Sequence, residues 1–158
     1  MACGDAYHVL FGVNPDGAND CFFYLKNDSD SQYLVIEGFW YTASAAEEVN
    51  VYIAQTGTAV KTNGSDLTPV NLNASSGKAA DVTCYGETAD AAVDITGLSG
   101  GRNIDKLWIT ALADNKFFNF EQDVVLDKND TFSLYAVGGD VLIRGNVVFH
   151  MIDKDLVG

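Results

Sequence analysis

The chain has 158 residues, 47% of them hydrophobic and 20% charged; this suits one globular domain with a buried core and argues against disorder. Its 22 acidic residues outweigh nine basic ones, for a net charge of −13. The nine cations are scattered singly, which excludes nucleic acid and anionic membrane as direct partners, since both need clustered Lys and Arg.

No run approaches the roughly 20 apolar residues of a membrane-spanning helix. The first residues lack the basic stretch and long apolar run of a secretory signal. Cys3, Cys21 and Cys84 have no metal-type spacing, so reduced, buried thiols in a protein made in a cytoplasm are expected.

Taken in chain order, Ala6 to Val13 is apolar and ends at the turn signal Asn14-Pro15-Asp16-Gly17. Residues 1–13 read as either an N-terminal arm or an ordinary first strand. Cys21 to Lys26 is a strand stopped by Asn27-Asp28-Ser29-Asp30-Ser31. In Gln32 to Thr42, Leu34 and Ile36 share one face and Tyr33 and Val35 the other. Glu48 to Gln55 places Val49, Val51 and Ile53 together, because side chains alternate along a strand.

Residues 56–101 are rich in Gly, Ser, Thr, Asn and Ala, with weaker strands at Leu67–Leu72, Asp81–Tyr85 and Ala91–Ile95; long surface loops are expected there. Alternation returns at Asp105 to Leu112, then at Lys116 to Phe120 and Gln122 to Leu126. Thr131 to Val137 and Asp140 to Ile152 flank Gly138-Gly139, a pattern that predicts a closing β-hairpin. No run has trustworthy helical spacing. The fold expected is all-β: an antiparallel β-sandwich, and most readily a jelly roll, occupying residues 14–158 as a single domain.

Reaction chemistry is sparse. Gly97-Leu98-Ser99-Gly100-Gly101 is not a nucleophile elbow. Around Gly77-Lys78 the phosphate-loop pattern fails at both ends, with Leu72 and Ala79 in the wrong places. The Asp28–Asp30 and Asp127–Asp130 clusters read as solvated turns, without the calcium-loop pattern. Glu47 and Glu48 are adjacent and point to opposite faces, while Glu37 and Glu121 carry no pairing signal for glycoside hydrolysis. The Asn-x-Ser/Thr triplets at Asn27, Asn63, Asn73 and Asn129 matter only in a secretory setting. No cofactor, no metal site and no enzymatic activity are expected.

The aromatics are the remaining candidates for contact with a partner. Phe39, Trp40 and Tyr41 are consecutive, and Trp108 lies opposite the apolar face of its strand. Trp40, Trp108 and Tyr41 are therefore candidates for an interface or for stacking on a sugar ring.

Several stretches together resemble small structural proteins of tailed bacteriophage particles. One is Asn14-Pro15-Asp16-Gly17, followed by Leu25-Lys26-Asn27-Asp28-Ser29-Asp30 and by Tyr33-Leu34-Val35-Ile36-Glu37-Gly38. The other is Val125-Leu126-Asp127-Lys128-Asn129-Asp130-Thr131-Phe132-Ser133-Leu134-Tyr135-Ala136, then Asp140-Val141 and Val147-Val148-Phe149. The resemblance covers about the first and last thirds of the chain. It implies an accessory capsid (cement or decoration) protein on the virion surface, bound to the major capsid protein and commonly trimeric, with no catalytic residues to carry over. The alternative is a carbohydrate- or receptor-binding module of a phage tail or fibre.

Overall fold

A computed structural model describes residues 5–96, 101–109 and 116–156. Among the described residues thirteen strands form one curled, mixed sheet. They are β1 (Asp5–Pro15), β2 (Asp20–Asn27), β3 (Gln32–Ala43), β4 (Glu47–Ala54), β5 (Val60–Asn63), β6 (Ser65–Asp66), β7 (Val70–Asn71), β8 (Val82–Gly86), β9 (Ala91–Thr96), β10 (Arg102–Ile109), β11 (Lys116–Leu126), β12 (Thr131–Ala136) and β13 (Ile143–Asp153). A single 3-10 turn follows, Lys154–Leu156. The all-β expectation holds. Among the described residues no helix is long and apolar enough to cross a membrane.

The strand order is β10-β4-β12-β2-β9-β1-β13-β3-β11. Every pairing is antiparallel except that of β1 with β9, where Val13, Asn14 and Pro15 run alongside Ala91, Ala92 and Val93. That parallel contact joins two halves, β1-β13-β3-β11 and β10-β4-β12-β2. Alternation builds each half: Tyr7, Val9, Phe11 and Val13 of β1 are buried, as are Leu34, Ile36, Phe39 and Tyr41 of β3. Curling brings the two apolar faces together, and aromatic rings lock them. Phe11 lies 5.6 Å from Phe23, and Phe132 lies 6.3 Å from Phe39 and 6.1 Å from Phe120, centroid to centroid. Such tilted and edge-on pairs add to the apolar area they bury.

One expectation needs correction. Thr131 to Val137 and Asp140 to Ile152 are not partners in a hairpin. β12 lies between β2 and β4, and β13 lies between β1 and β3, in the opposite half. Gly138-Gly139 carries the chain from one half to the other. Gly139 has φ +67, and a Cβ there would lie 2.0 Å from the carbonyl oxygen of Gly17, so close backbone approach requires the glycine. The weaker strands expected at Asp81–Tyr85 and Ala91–Ile95 appear as β8 and β9, and that expected at Leu67–Leu72 is reduced to the two residues of β7. β8 and β9 pair alongside β2; Phe22 and Tyr24 are buried, and the Phe22 ring lies 5.7 Å from that of Phe11. Tyr24 stacks on Tyr85 at 5.5 Å and donates a hydrogen bond to the Gly57 carbonyl.

Residues 5–13, read from sequence as arm or strand, form the body of β1 inside the sheet. The split expected between Lys116–Phe120 and Gln122–Leu126 appears as one strand whose register with β3 breaks between Asn119 and Val124.

Candidate functional site

Because strand side chains alternate, the residues between the core positions of β1, β13, β3 and β11 form an outward face. One row crosses all four strands. Leu10 is in register with Asn146, Asn146 with Trp40, and Trp40 with Phe117. Trp40 is half-buried, and its ring lies 4.3 Å from that of Phe117. Leu10 is 57% exposed and Phe117 42%. Val125 extends the same side of β11 in register with Val35. Single exposed apolar residues are ordinary; here Leu10 and Phe117 stand at the two ends of a row whose middle members, Asn146 and Trp40, are partly buried.

Beside this row lies a groove of about 730 Å³ lined by Leu10, Trp40, Thr42, Asp90, Arg144 and Asn146. The Oδ1 of Asn146 is buried and has no hydrogen-bond partner. A wall is made by the turn before β9: Asp90 N–H donates to Gly12 O, and Gly12 N–H donates to Glu87 O. Arg144 donates to Asp90 through Nε at 3.0 Å and through Nη2 at 2.5 Å, a forked pairing that ties the turn to β13. A Cβ on Gly12 would lie 2.6 Å from Asp90 Oδ1, so the turn seats only against a bare backbone.

Hydrogen bonding from Arg144 holds the Asp90 carboxyl below its ordinary value. A depressed acid contributes stability above the ordinary carboxylate range and loses it as pH falls through the folded value. Asp90→Asn is therefore expected to melt below the wild type at about pH 7, and the gap is expected to narrow at about pH 2, as the Asp90 carboxylate takes up its proton. Circular dichroism melts at the two pH values check this.

The three aromatic candidates separate. Trp40 stands on the outward row. Tyr41 faces inward, stacks on Phe39 at 5.8 Å and is 4% exposed; burial pushes its phenol up to about 12. It is a core residue and presents no surface, because its neighbour Trp40 took the outward position. The backbone of Trp108 pairs with Glu48, and its side chain lies outside the described residues, as does Cys3.

Residues considered for chemistry are used structurally. Cys21 and Cys84 are buried free thiols, each raised far above the ordinary thiol range by burial. His8 and His150, far apart in sequence, lie on neighbouring strands, and His150 Nε2 is 2.6 Å from Glu37 Oε1. The two Asp-rich turns meet. Asn27 N–H donates to Asp130 O, Asn129 N–H donates to Asn27 O, Lys128 pairs with Asp30, and Lys154 pairs with Asp127. Asn27 is fully buried between them; its Nδ2 donates to the carbonyls of Gln32 and Leu126, and its Oδ1 accepts from Ser29 N–H. Glu47 is buried, its Oε1 accepting from Glu48 N–H and Gly138 N–H. Among the described residues no group of three or more His, Cys, Asp or Glu is placed to hold a metal ion.

No known family model matches the chain, and no curated protein or solved structure is significantly similar to it.

Proposed function

We propose that this protein is a non-catalytic docking module, an accessory capsid protein that binds the major capsid protein on the outside of a phage shell. The observation carrying this reading is the unpartnered row Leu10–Asn146–Trp40–Phe117 across the outward face of β1-β13-β3-β11. A Trp flanked by apolar neighbours and a buried orphan acceptor is the kind of anchor that dominates protein interfaces.

Strand order supports the same reading. With the short strands β5 to β9 set aside, the eight long strands fall as first-eighth-third-sixth in one half and fifth-fourth-seventh-second in the other. We read this as jelly-roll connectivity, two Greek keys, which viral shell domains share with lectins. Docking across neighbouring shell subunits opposes their separation, and trimers at local symmetry axes multiply weak contacts through effective concentration.

Co-sedimentation with particles of the phage that encodes this chain tests the proposal. Wild-type protein is expected to pellet with intact shells. Trp40→Ala combined with Phe117→Ala is expected to weaken binding at least about thirtyfold, the effect of losing an interface anchor worth about 2 kcal/mol. A wild-type chain that stays in the supernatant, or a double variant that binds equally well, overturns the proposal.

A further inference from the structure

The outward face of the other half carries a second groove, built from β4, β12 and the residue before β10. Its volume is about 410 Å³, and Asn19, Asn50, Tyr52, Gly101, Ser133 and Tyr135 line it. Register assembles it: Tyr52 lies opposite Ser133, and Asn50 opposite Tyr135. The rings of Tyr52 and Tyr135 meet at 4.7 Å, inclined by 57°. Asn50 is only 9% exposed, and its Oδ1 is buried without a hydrogen-bond partner. Ser133 is buried, only 3% exposed.

We propose that this groove binds a neutral, hydroxyl-rich ligand of the saccharide class. Tyrosine rings offer flat apolar faces to the C–H side of a sugar ring. A primary amide offers one acceptor and two donors side by side, which suits a pair of neighbouring hydroxyls. A ligand hydroxyl would supply the hydrogen bond that the buried Asn50 oxygen lacks, a deficit that folded proteins rarely tolerate without use.

The electrostatics select a neutral ligand. Lys106, in register with Asn50, already has a partner of its own, and Glu48 stands next along β4 on the same side. Burial keeps the Tyr135 phenol protonated. An anion would meet a chain of net charge −13, and a cation would find no carboxylate lining the groove. Volume agrees with a small ligand, since pockets for such molecules occupy roughly 300–1,000 Å³.

Gly101 supplies the decisive variant. A Cβ there would touch Tyr52 Cδ1 at 3.5 Å, an ordinary contact, so Gly101→Leu folds while its side chain fills the groove. The experiment is an NMR titration of the whole chain with glucose, galactose, mannose, N-acetylglucosamine and their short oligomers. At least one is expected to give saturable shifts at Asn50 and Gly101. Gly101→Leu is expected to weaken that binding at least tenfold with an unchanged melting midpoint. Asn50→Leu, close in volume, is expected to weaken it similarly while the midpoint holds or rises. Trp40→Ala leaves it unchanged, because Trp40 belongs to the opposite face. Absence of saturable shifts with every sugar overturns the proposal, and so does binding that survives both Gly101→Leu and Asn50→Leu.

Discussion

Gly145→Ala is expected to lower the melting midpoint by roughly 6–12 °C, as a loss of about 3 kcal/mol would in a chain of this size. Gly145 sits in β13 opposite Tyr41 of β3. A Cβ there would lie 1.8 Å from the carbonyl oxygen of Trp40 and 2.8 Å from Cζ of Phe11. The first neighbour is main chain in a paired strand and cannot swing away as a side-chain tip could. To admit the methyl group, β13 must separate from β3 just where the outward row crosses them. Gly77→Ala is the matched control. Nothing stands within 4 Å of a Cβ at that position, so its midpoint should match the wild type within about 1–2 °C. Differential scanning calorimetry of the three proteins reads both. Equal midpoints for Gly145→Ala and wild type would show that the two strands are not packed as described.

Phe39→Ala is expected to cost about 3–5 kcal/mol, the range for deleting a buried aromatic ring. Phe39 is fully buried on β3. Its ring lies within 5.6–6.3 Å of Phe118, Tyr41, Phe120 and Phe132. Three of those rings share its half of the sheet, and Phe132 belongs to the other, so the deletion opens a void at the join between halves. Surrounding backbone is tied into ladders on both sides and cannot collapse to fill it. Urea unfolding measures the loss as a lower midpoint with an unchanged slope. A cost under about 1 kcal/mol would contradict the described packing of the two halves.

The fold was legible in sequence wherever one face of a strand is buried and the other is wet. β1 alternates from Tyr7 to Val13 except at the enclosed Gly12, whereas in β3 the buried parity switches from Leu34 and Ile36 to Phe39 and Tyr41 across a bulge at Glu37. β2 was less readable because Phe22, Phe23, Tyr24 and Leu25 are all buried, so no wet face marks its alternation. Partner choice was the hardest part. A Gly-Gly pair between two alternating runs looks the same whether the chain turns back on itself or crosses to another sheet half, and side-chain periodicity carries no information about which. Within residues 56–101, β8 and β9 were legible as weak alternating runs, whereas the strands of two to four residues are too short for period two to register.

Sites divided in the same way. The outward position of Trp40 follows from its two inward neighbours, Phe39 and Tyr41. The second groove had no local signature, since Asn50 and Tyr52 meet Ser133 and Tyr135 only after strands 80 or so residues apart pair. An Asn flanked by Val49 and Val51 was the one faint sign, a polar residue on the unburied parity of a strand yet almost wholly enclosed.

The pairing of β1 with β13 bears on biogenesis. Asp5 sits beside Met151 and Val13 beside Ile143, so β1 has no lasting neighbour on that side until β13 has been made. Until then a growing chain holds an uncapped apolar ribbon, a state prone to mispairing with other nascent chains. High sequence separation also slows closure once synthesis ends. Slow, late maturation is thus built into the order of its strands.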